Sequence, residues 1–239
     1  MMHATNIDPE MLIIRMRILI AYYSRSGHTA RLAEVLAAEL AHHGHDVVRE
    51  AIRPVRDWNK WLLPLPLLPL LPLLPLYLAW APLRRLWHAV YFQPEQAIQP
   101  PIHPDVSGFD LVLLGTPKWL YVSFPVARWL KTVQGLDGCR VAPFATFCGP
   151  PLKVFEVEML FDPLDALIRK RGAIVAGRLH ISSNYHPFFW FGEMERLFRW
   201  LSRKLFHRPL DDFTLDGPIG KEAVRHFCDS ICKNVPNQK

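Results

Sequence analysis

Apolar runs of strand length alternate with helical patterns along this chain, and this alternation is the feature that most limits its fold. The runs are rich in aliphatic and aromatic residues and lie at 17–23, 45–52, 111–116, 141–147 and 174–181. Helical patterns lie between them, at 30–43, 124–134 and 152–170. Such alternation is typical of a parallel sheet covered by helices. The sequence therefore predicts an α/β fold.

The turn after the first run carries hydroxyl groups and a glycine. The run at 18–23 is continuously apolar, as in a strand buried on both faces. Hydroxyls, a glycine that lets the backbone approach a ligand, and the first amides of the following helix together favour a phosphate dianion. The spacing matches neither common nucleotide-binding glycine pattern, which favours a monophosphate. The alternative is an ordinary strand-to-helix turn in which Ser and Thr are caps. We call residues 24–29 the phosphate loop.

Three segments resemble the flavodoxin-like family. The phosphate loop is similar to that family's Ser/Thr-x-Ser/Thr-Gly-x-Thr turn after the first strand. Residues 109–130 resemble its third strand, its flavin-flanking loop and the next helix. Residues 141–150 resemble, more weakly, the fourth strand and the loop on the other side of the flavin ring. The segments lie in the family's order, and the resemblance covers about 16–53 and 105–182.

The resemblance implies a doubly wound, five-stranded parallel sheet in the order 2-1-3-4-5 with bound flavin mononucleotide (FMN). Trp119 or Tyr121 would stack on the isoalloxazine ring, although Trp119 alone also suits a core position. Arg25 and Lys118 would favour an anionic reduced ring, or are solvated surface charges. Cys148 would touch the ring, or is a small buried hydrophobe. No catalytic residue is assigned. The FMN-binding residues that the resemblance implies are Ser24, Arg25, Ser26, Gly27, His28 and Thr29, then Thr116, Pro117, Lys118, Trp119, Leu120 and Tyr121, and then Phe147, Cys148 and Gly149.

The chain is longer than a compact flavodoxin-like domain, and the additional segments define its domain organisation. Residues 16–239 are predicted to form one domain, with residues 1–15 as a disordered N-terminal extension. The excess lies in an insertion at 54–108 and a helical tail at 186–239. Within the insertion, residues 62–83 are uncharged and long enough to cross a bilayer as a helix. A regular helix is excluded because prolines interrupt it, at Pro64, Pro66, Pro69, Pro72 and Pro75.

Two elements predict contact with a membrane surface. Pro66, Pro69, Pro72 and Pro75 are spaced by three, as in polyproline II, which leaves backbone groups unpaired and cannot span lipid. Aromatic and basic residues flank this run, so 58–91 is a membrane-interfacial candidate; otherwise it folds over the flavin or forms a dimer contact. The tail has an apolar stripe beside cations, which predicts a lipid-facing helix or one docked on the sheet. The stripe is Phe191, Met194, Phe198, Leu201 and Leu205, and the cations are Arg196, Arg199, Arg203, Lys204 and Arg208.

Charge and cysteine content limit partners and location. The net charge of +6 separates the chain from small flavodoxin-like carriers, which are acidic as a family. Nucleic acid is not favoured, because the cations form no basic arm or known binding motif. Four cysteines show no Cys-x-x-Cys pattern, and the histidines form no metal-ligand pattern, so reduced thiols in the cytoplasm and no metal are expected.

These features predict an FMN-dependent oxidoreductase that is peripherally associated with the inner, cytoplasmic face of a membrane. It would pass electrons from NAD(P)H or a protein donor to an apolar acceptor such as a quinone. A membrane-docked electron carrier, an enzyme similar to quinone-linked protoporphyrinogen oxidase and a flavin-free scaffold are the alternatives. A homo-oligomer is left open.

Overall fold

A parallel sheet lies at the centre of the fold. The computed structural model describes residues 15–56, 74–83, 86, 95–118, 122–183 and 191–233. The strands are β1 Arg17–Tyr22, β2 Asp46–Ala51, β3 Leu111–Pro117, β4 Arg140–Cys148, β5 Ile174–Val175 and β6 Leu179–Ser183. Neighbouring strands pair in parallel, in the order β2-β1-β3-β4-β5, and β6 pairs with β4. This is the flavodoxin-like strand order, and it confirms the predicted fold class.

The fifth predicted strand is interrupted. β5 pairs with the start of β4 and β6 with its end, while residues 176–178 leave the ladder. Gly177 lies against the last helix, where an added Cβ would be 3.1 Å from Ile231 Cγ2. The Arg178 side chain turns towards buried Asp165, with 3.0 Å between Nε and Oδ2. Close packing and this ion pair therefore divide one apolar run into two short strands.

Helices cover both faces of the sheet. The helices are α1 His28–His42, α2 Leu74–Ala79, α3 Phe124–Thr132, α4 Met159–Lys170, α5 Phe191–Phe206 and α6 Pro218–Lys233. The predicted helices at 30–43 and 124–134 are α1 and α3, and the one predicted at 152–170 begins as a π-helical turn, Lys153–Glu158, before it becomes α4. Pro163 lies inside α4. The predicted C-terminal helical region contains α5, a 3₁₀ turn at Leu210–Phe213, and α6.

Alternate residues of the central strands enter two separate cores. On one face, Leu19 and Val112 pack with α3 and α4, around the fully buried Trp129. On the other face, Ile18 and Leu111 pack with α1 and α6. Strand side chains point to opposite faces in turn, so strands that are apolar throughout must be covered on both sides.

The insertion leaves and rejoins the domain beside β2. Its two ends meet at the antiparallel bridge between Pro54 and Ile98. Buried Glu50 secures the returning chain, because its carboxylate accepts hydrogen bonds from the amides of Ile102 and His103 at 3.1 and 2.9 Å. Of the interfacial candidate 58–91, only 74–83 and 86 are described, and the predicted extension falls outside the described residues except for Arg15. No helix in the described part of the chain is long and apolar enough to cross a membrane.

Candidate functional site

The carboxyl ends of β1 and β3 define where a ligand is expected. These strands are neighbours, but α1 follows β1 on one face of the sheet and α3 follows β3 on the other. The connections therefore diverge and leave a crevice, which is the usual ligand position in a doubly wound sheet. The phosphate loop and the loop after β3 both begin at this edge, where the Tyr23 amide donates to the Gly115 carbonyl at 3.0 Å.

The phosphate loop ends in a helix that lacks a side-chain cap. Gly27 is the N-cap of α1, with a left-handed φ of 86°. No atom lies within 4 Å of the position of an added Cβ, so the backbone conformation alone requires glycine. The Arg31 amide makes the first helical bond, to the Gly27 carbonyl, and the amides before it have no acceptor within the helix. The positive end of a 15-residue helix therefore faces the loop.

Ser24 places an unsatisfied hydroxyl beside this helix end. Its Oγ is buried and has no hydrogen-bond partner among the residues described. A buried polar atom without a partner costs about 1–3 kcal/mol, which a bound ligand would recover. The adjoining cavity has a volume of about 290 Å³. It is lined by Tyr22, Tyr23, Ser24, Arg25, Gly27 and Ala30 on one side and Ala51, Ile52, Arg53 and Pro54 on the other.

Arg53 is a cavity residue that the sequence analysis missed. It comes two residues after β2 and lines the same cavity as Arg25. Its position at the carboxyl end of a strand next to β1 was the available signal, because parallel neighbours end at the same edge. The cavity thus has an arginine on each side.

Thr29 is placed differently from the other phosphate-loop hydroxyls. It is 1% exposed, and its Oγ1 lies 2.8 Å from Thr146 Oγ1 of β4. This pair joins α1 to β4 across the sheet edge. Ser26 and Arg25 are exposed, while His28 is half-buried. The phosphate loop therefore combines a buried structural hydroxyl with groups at the surface.

The loop after β3 is closed at its base by a hydroxyl pair. Thr116 is fully buried, and its Oγ1 lies 2.7 Å from Ser123 Oγ, at the start of α3. Pro117 and Lys118 are half-buried. Trp119, Leu120 and Tyr121 lie outside the described residues, so stacking on a flavin ring stays a prediction.

The loop after β4 is packed against the chain's own C-terminal part. Phe147 is 3% exposed and stacks on His180, with 5.9 Å between ring centroids. The hydroxyls of Ser182 and Ser183 donate to the carbonyls of Gly149 and Phe147 at 2.7 and 3.1 Å. Gly149 has a φ of 103° and lies under Phe198 of α5. Cys148, between them, is half-buried.

The thiols and the acidic groups of the described residues do not assemble a metal site. Within this part of the chain, no group of three or more His, Cys, Asp or Glu side chains is arranged to hold a metal ion. Burial raises the pKa of Cys139 and of Cys232 to about 11. Such thiols stay protonated at neutral pH and react slowly. The four cysteines, which all lie among the described residues, form no disulfide bond.

No family model and no curated protein matches the chain. Among solved structures, it is similar to flavodoxin 2 from Bacillus cereus in the oxidised state, with 16% identity over 91% of this chain and 98% of that one and a TM-score of 0.48. It is similar to two-electron reduced Megasphaera elsdenii flavodoxin, with 14% identity over 91% and 99% and a TM-score of 0.46. A flavoprotein in complex with FMN from Lactobacillus acidophilus shows 19% identity over 69% and 93% and a TM-score of 0.45. At the level of the fold, which the strand order establishes, the resemblance predicted from the sequence is confirmed.

Proposed function

We propose that this protein binds FMN and transfers electrons. The observation that carries the proposal is the buried Ser24 hydroxyl, which has no partner in the described part of the chain, beside an α1 N-terminus without a side-chain cap. Both features suit a phosphate group, which accepts several hydrogen bonds and carries the negative charge that a helix N-terminus favours. Arg25 and Arg53 add positive charge around the same cavity.

The remaining FMN contacts belong to the loops after β3 and β4. Thr116 and Ser123 would support the first loop from beneath, and Ser182 and Ser183 would hold the second. FMN supplies one- and two-electron redox chemistry when bound. The protein's part is to hold the phosphate, to set the polarity around the ring and to control which partner reaches it.

The proposed electron path runs from NAD(P)H or a redox protein to an apolar acceptor such as a quinone, at the cytoplasmic face of a membrane. The charge of +6 and the exposed apolar side chains of the insertion support this location. Leu76, Trp80 and Leu86 are 47%, 51% and 57% exposed. Aromatic and aliphatic side chains near basic residues are typical of proteins that bind a membrane surface. Assays of NAD(P)H oxidation, with quinone or a redox protein as acceptor, distinguish an enzyme from a carrier.

The first experiment tests flavin binding and the role of the phosphate. The purified protein is expected to show a flavin absorption spectrum, and the released chromophore to have the mass of FMN. Apoprotein titrated with FMN and with riboflavin should bind FMN about 100-fold more tightly, because riboflavin lacks the phosphate. Equal affinities would remove the phosphate loop from the site. A colourless protein that takes up neither ligand would favour the flavin-free scaffold.

A second experiment tests the membrane location. Deletion of residues 62–83 is expected to move the protein from the membrane fraction to the supernatant. Flavin content should not change, since the cavity is lined by residues 22–30 and 51–54. Protein that stays on membranes after the deletion would show that another surface carries the attachment.

A further inference from the structure

Helix α5 has one side packed on the domain and one side exposed. Phe198 and Ser202 are 5% and 0% exposed and face inward. The opposite side, which we call the α5 outer face, carries Leu197, Trp200, Arg203 and Lys204. Leu197 and Trp200 are 44% and 57% exposed. A helix that buries one side on its domain has no folding reason to place a tryptophan and a leucine on the other.

The charges on this face have one sign. Arg199 is paired with Glu195 and Asp211 at 2.8 and 2.9 Å. Arg203 and Lys204 are exposed, and neither forms an ion pair within the described part of the chain. Glu195 and Asp211 are thus paired with Arg199 rather than with Arg203 or Lys204, and the α5 outer face presents cations beside apolar groups.

We infer that the α5 outer face docks on an anionic phospholipid surface. Tryptophan and leucine would enter the interfacial region while Arg203 and Lys204 meet lipid phosphates, which is how an interfacial amphipathic helix binds. The cations of this face complement anionic lipid headgroups. The insertion favours the same partner, because it also combines apolar side chains with cations. Residues 58–94 contain no Asp or Glu, and the insertion exposes Trp80 and Leu86.

Contact between α5 and the loop after β4 links this surface to the candidate site. An added Cβ on Gly149 would lie 3.0 Å from the Phe198 ring, so the helix rests directly on that loop. Docking of α5 would therefore hold the loop after β4 close to the bilayer. This inference rests on the membrane location in the proposed function and assigns it to a surface and a lipid chemistry.

Cosedimentation of the full-length protein with vesicles tests the inference. Phosphatidylcholine vesicles containing phosphatidylglycerol should bind the protein, and phosphatidylcholine alone should bind it much more weakly. The double variant Arg203→Gln, Lys204→Gln should bind the anionic vesicles about 30-fold more weakly, since each cation near such a surface contributes roughly a fivefold change. The matched control Lys221→Gln, Arg225→Gln removes two exposed cations from α6 and should bind like the parent.

Two tryptophan variants, one in α5 and one in the insertion, show which element binds the vesicles. Trp200→Ala should weaken binding roughly tenfold, because binding strength scales with the apolar area buried. The inference is overturned if Trp80→Ala weakens binding and Trp200→Ala does not. It is also overturned if the Arg203/Lys204 variant binds like its control, because the α5 outer face is then not the docking surface. A parent protein that binds neither vesicle also overturns it and leaves an acidic protein as the candidate partner. FMN content, measured for every variant, reports separately on the proposed function.

Discussion

The phosphate loop and the loop after β4 lie at the same edge of the sheet but differ in what their polar groups do. In the phosphate loop, Ser24 Oγ is buried with no partner within the described ranges, and α1 has no side-chain cap. In the loop after β4, the hydroxyls of Ser182 and Ser183 donate hydrogen bonds to the carbonyls of Gly149 and Phe147. One region keeps hydrogen-bonding capacity for a ligand, and the other uses it within the chain.

This difference suggests that the phosphate loop serves ligand binding and that the loop after β4 serves the stability of the fold. The Ser24 hydroxyl, which has no partner among the described residues, would bind the proposed phosphate without rearrangement, and this lowers the free-energy cost of binding. A loop whose carbonyls are engaged and whose glycine lies under Phe198 is held in one conformation. We therefore expect substitutions in the phosphate loop to change ligand affinity, and those in the loop after β4 to change stability.

The largest expected effect is on FMN affinity. Ser26→Asp places a carboxylate near the proposed phosphate, and the repulsion should weaken FMN binding by about 3–4 kcal/mol, or a few hundredfold. Stability should not fall, because a negative charge near a helix N-terminus is favourable. Ser26 is exposed, so the change disturbs no packing. Fluorescence titration measures affinity, with Ser26→Asn as the neutral control; equal affinity of the two variants would contradict the proposed phosphate position.

A glycine pair tests the packing of the loop after β4. Gly149→Ala should lower the free energy of unfolding by about 3 kcal/mol, because the residue has a φ of 103° and the new Cβ meets Phe198. Gly44→Ala has a φ of 84° and no atom within 4 Å of the new Cβ, so it should cost only about 1 kcal/mol. Urea denaturation gives both values. Equal losses would show that α5 does not constrain this loop.

Thr29→Val tests whether the Thr29 hydroxyl stabilises the fold or binds the ligand. The change leaves Thr146 Oγ1 without its partner and should cost about 1–2 kcal/mol of stability. Thr29→Val, Thr146→Val removes both hydroxyls and should cost less than the single variant. If the single variant instead keeps full stability and loses FMN, the Thr29 hydroxyl belongs to the ligand site.

The smallest expected effect concerns pH. Burial lowers the pKa of His180 below its ordinary value of 6.5, so the folded protein binds this proton less readily than the unfolded chain does. The stability that depends on neutral His180 is therefore present above pH 6.5 and is lost as the pH falls through the lowered pKa. His180→Gln should lose less stability on acidification than the parent. His226→Gln, an exposed histidine of α6, should follow the parent; a His180→Gln curve parallel to the parent's would refute the prediction.

The strands and helices of the domain could be predicted because their signals are local. Each central strand is an apolar run that must be buried on both faces, and each helix has its own periodicity. The division of the fifth strand could not be predicted, because it depends on Ile231 and Asp165, which are distant in sequence. The position of the phosphate loop likewise followed from the strand-turn-helix pattern. Arg53 was missed, although the predicted strand order places the end of β2 beside the end of β1.

The sequence by itself determined the α/β class, the order of its elements and the turn most suited to a phosphate, because periodicity and turn chemistry act over a few residues. Only the tertiary structure decided which hydroxyls remain available. Ser24 and Thr29 look equivalent in the sequence, but Thr29 meets Thr146, 117 residues away, while Ser24 Oγ meets no partner among the described residues. A hydroxyl can pair with many groups, and the sheet brings only some of them within hydrogen-bonding distance.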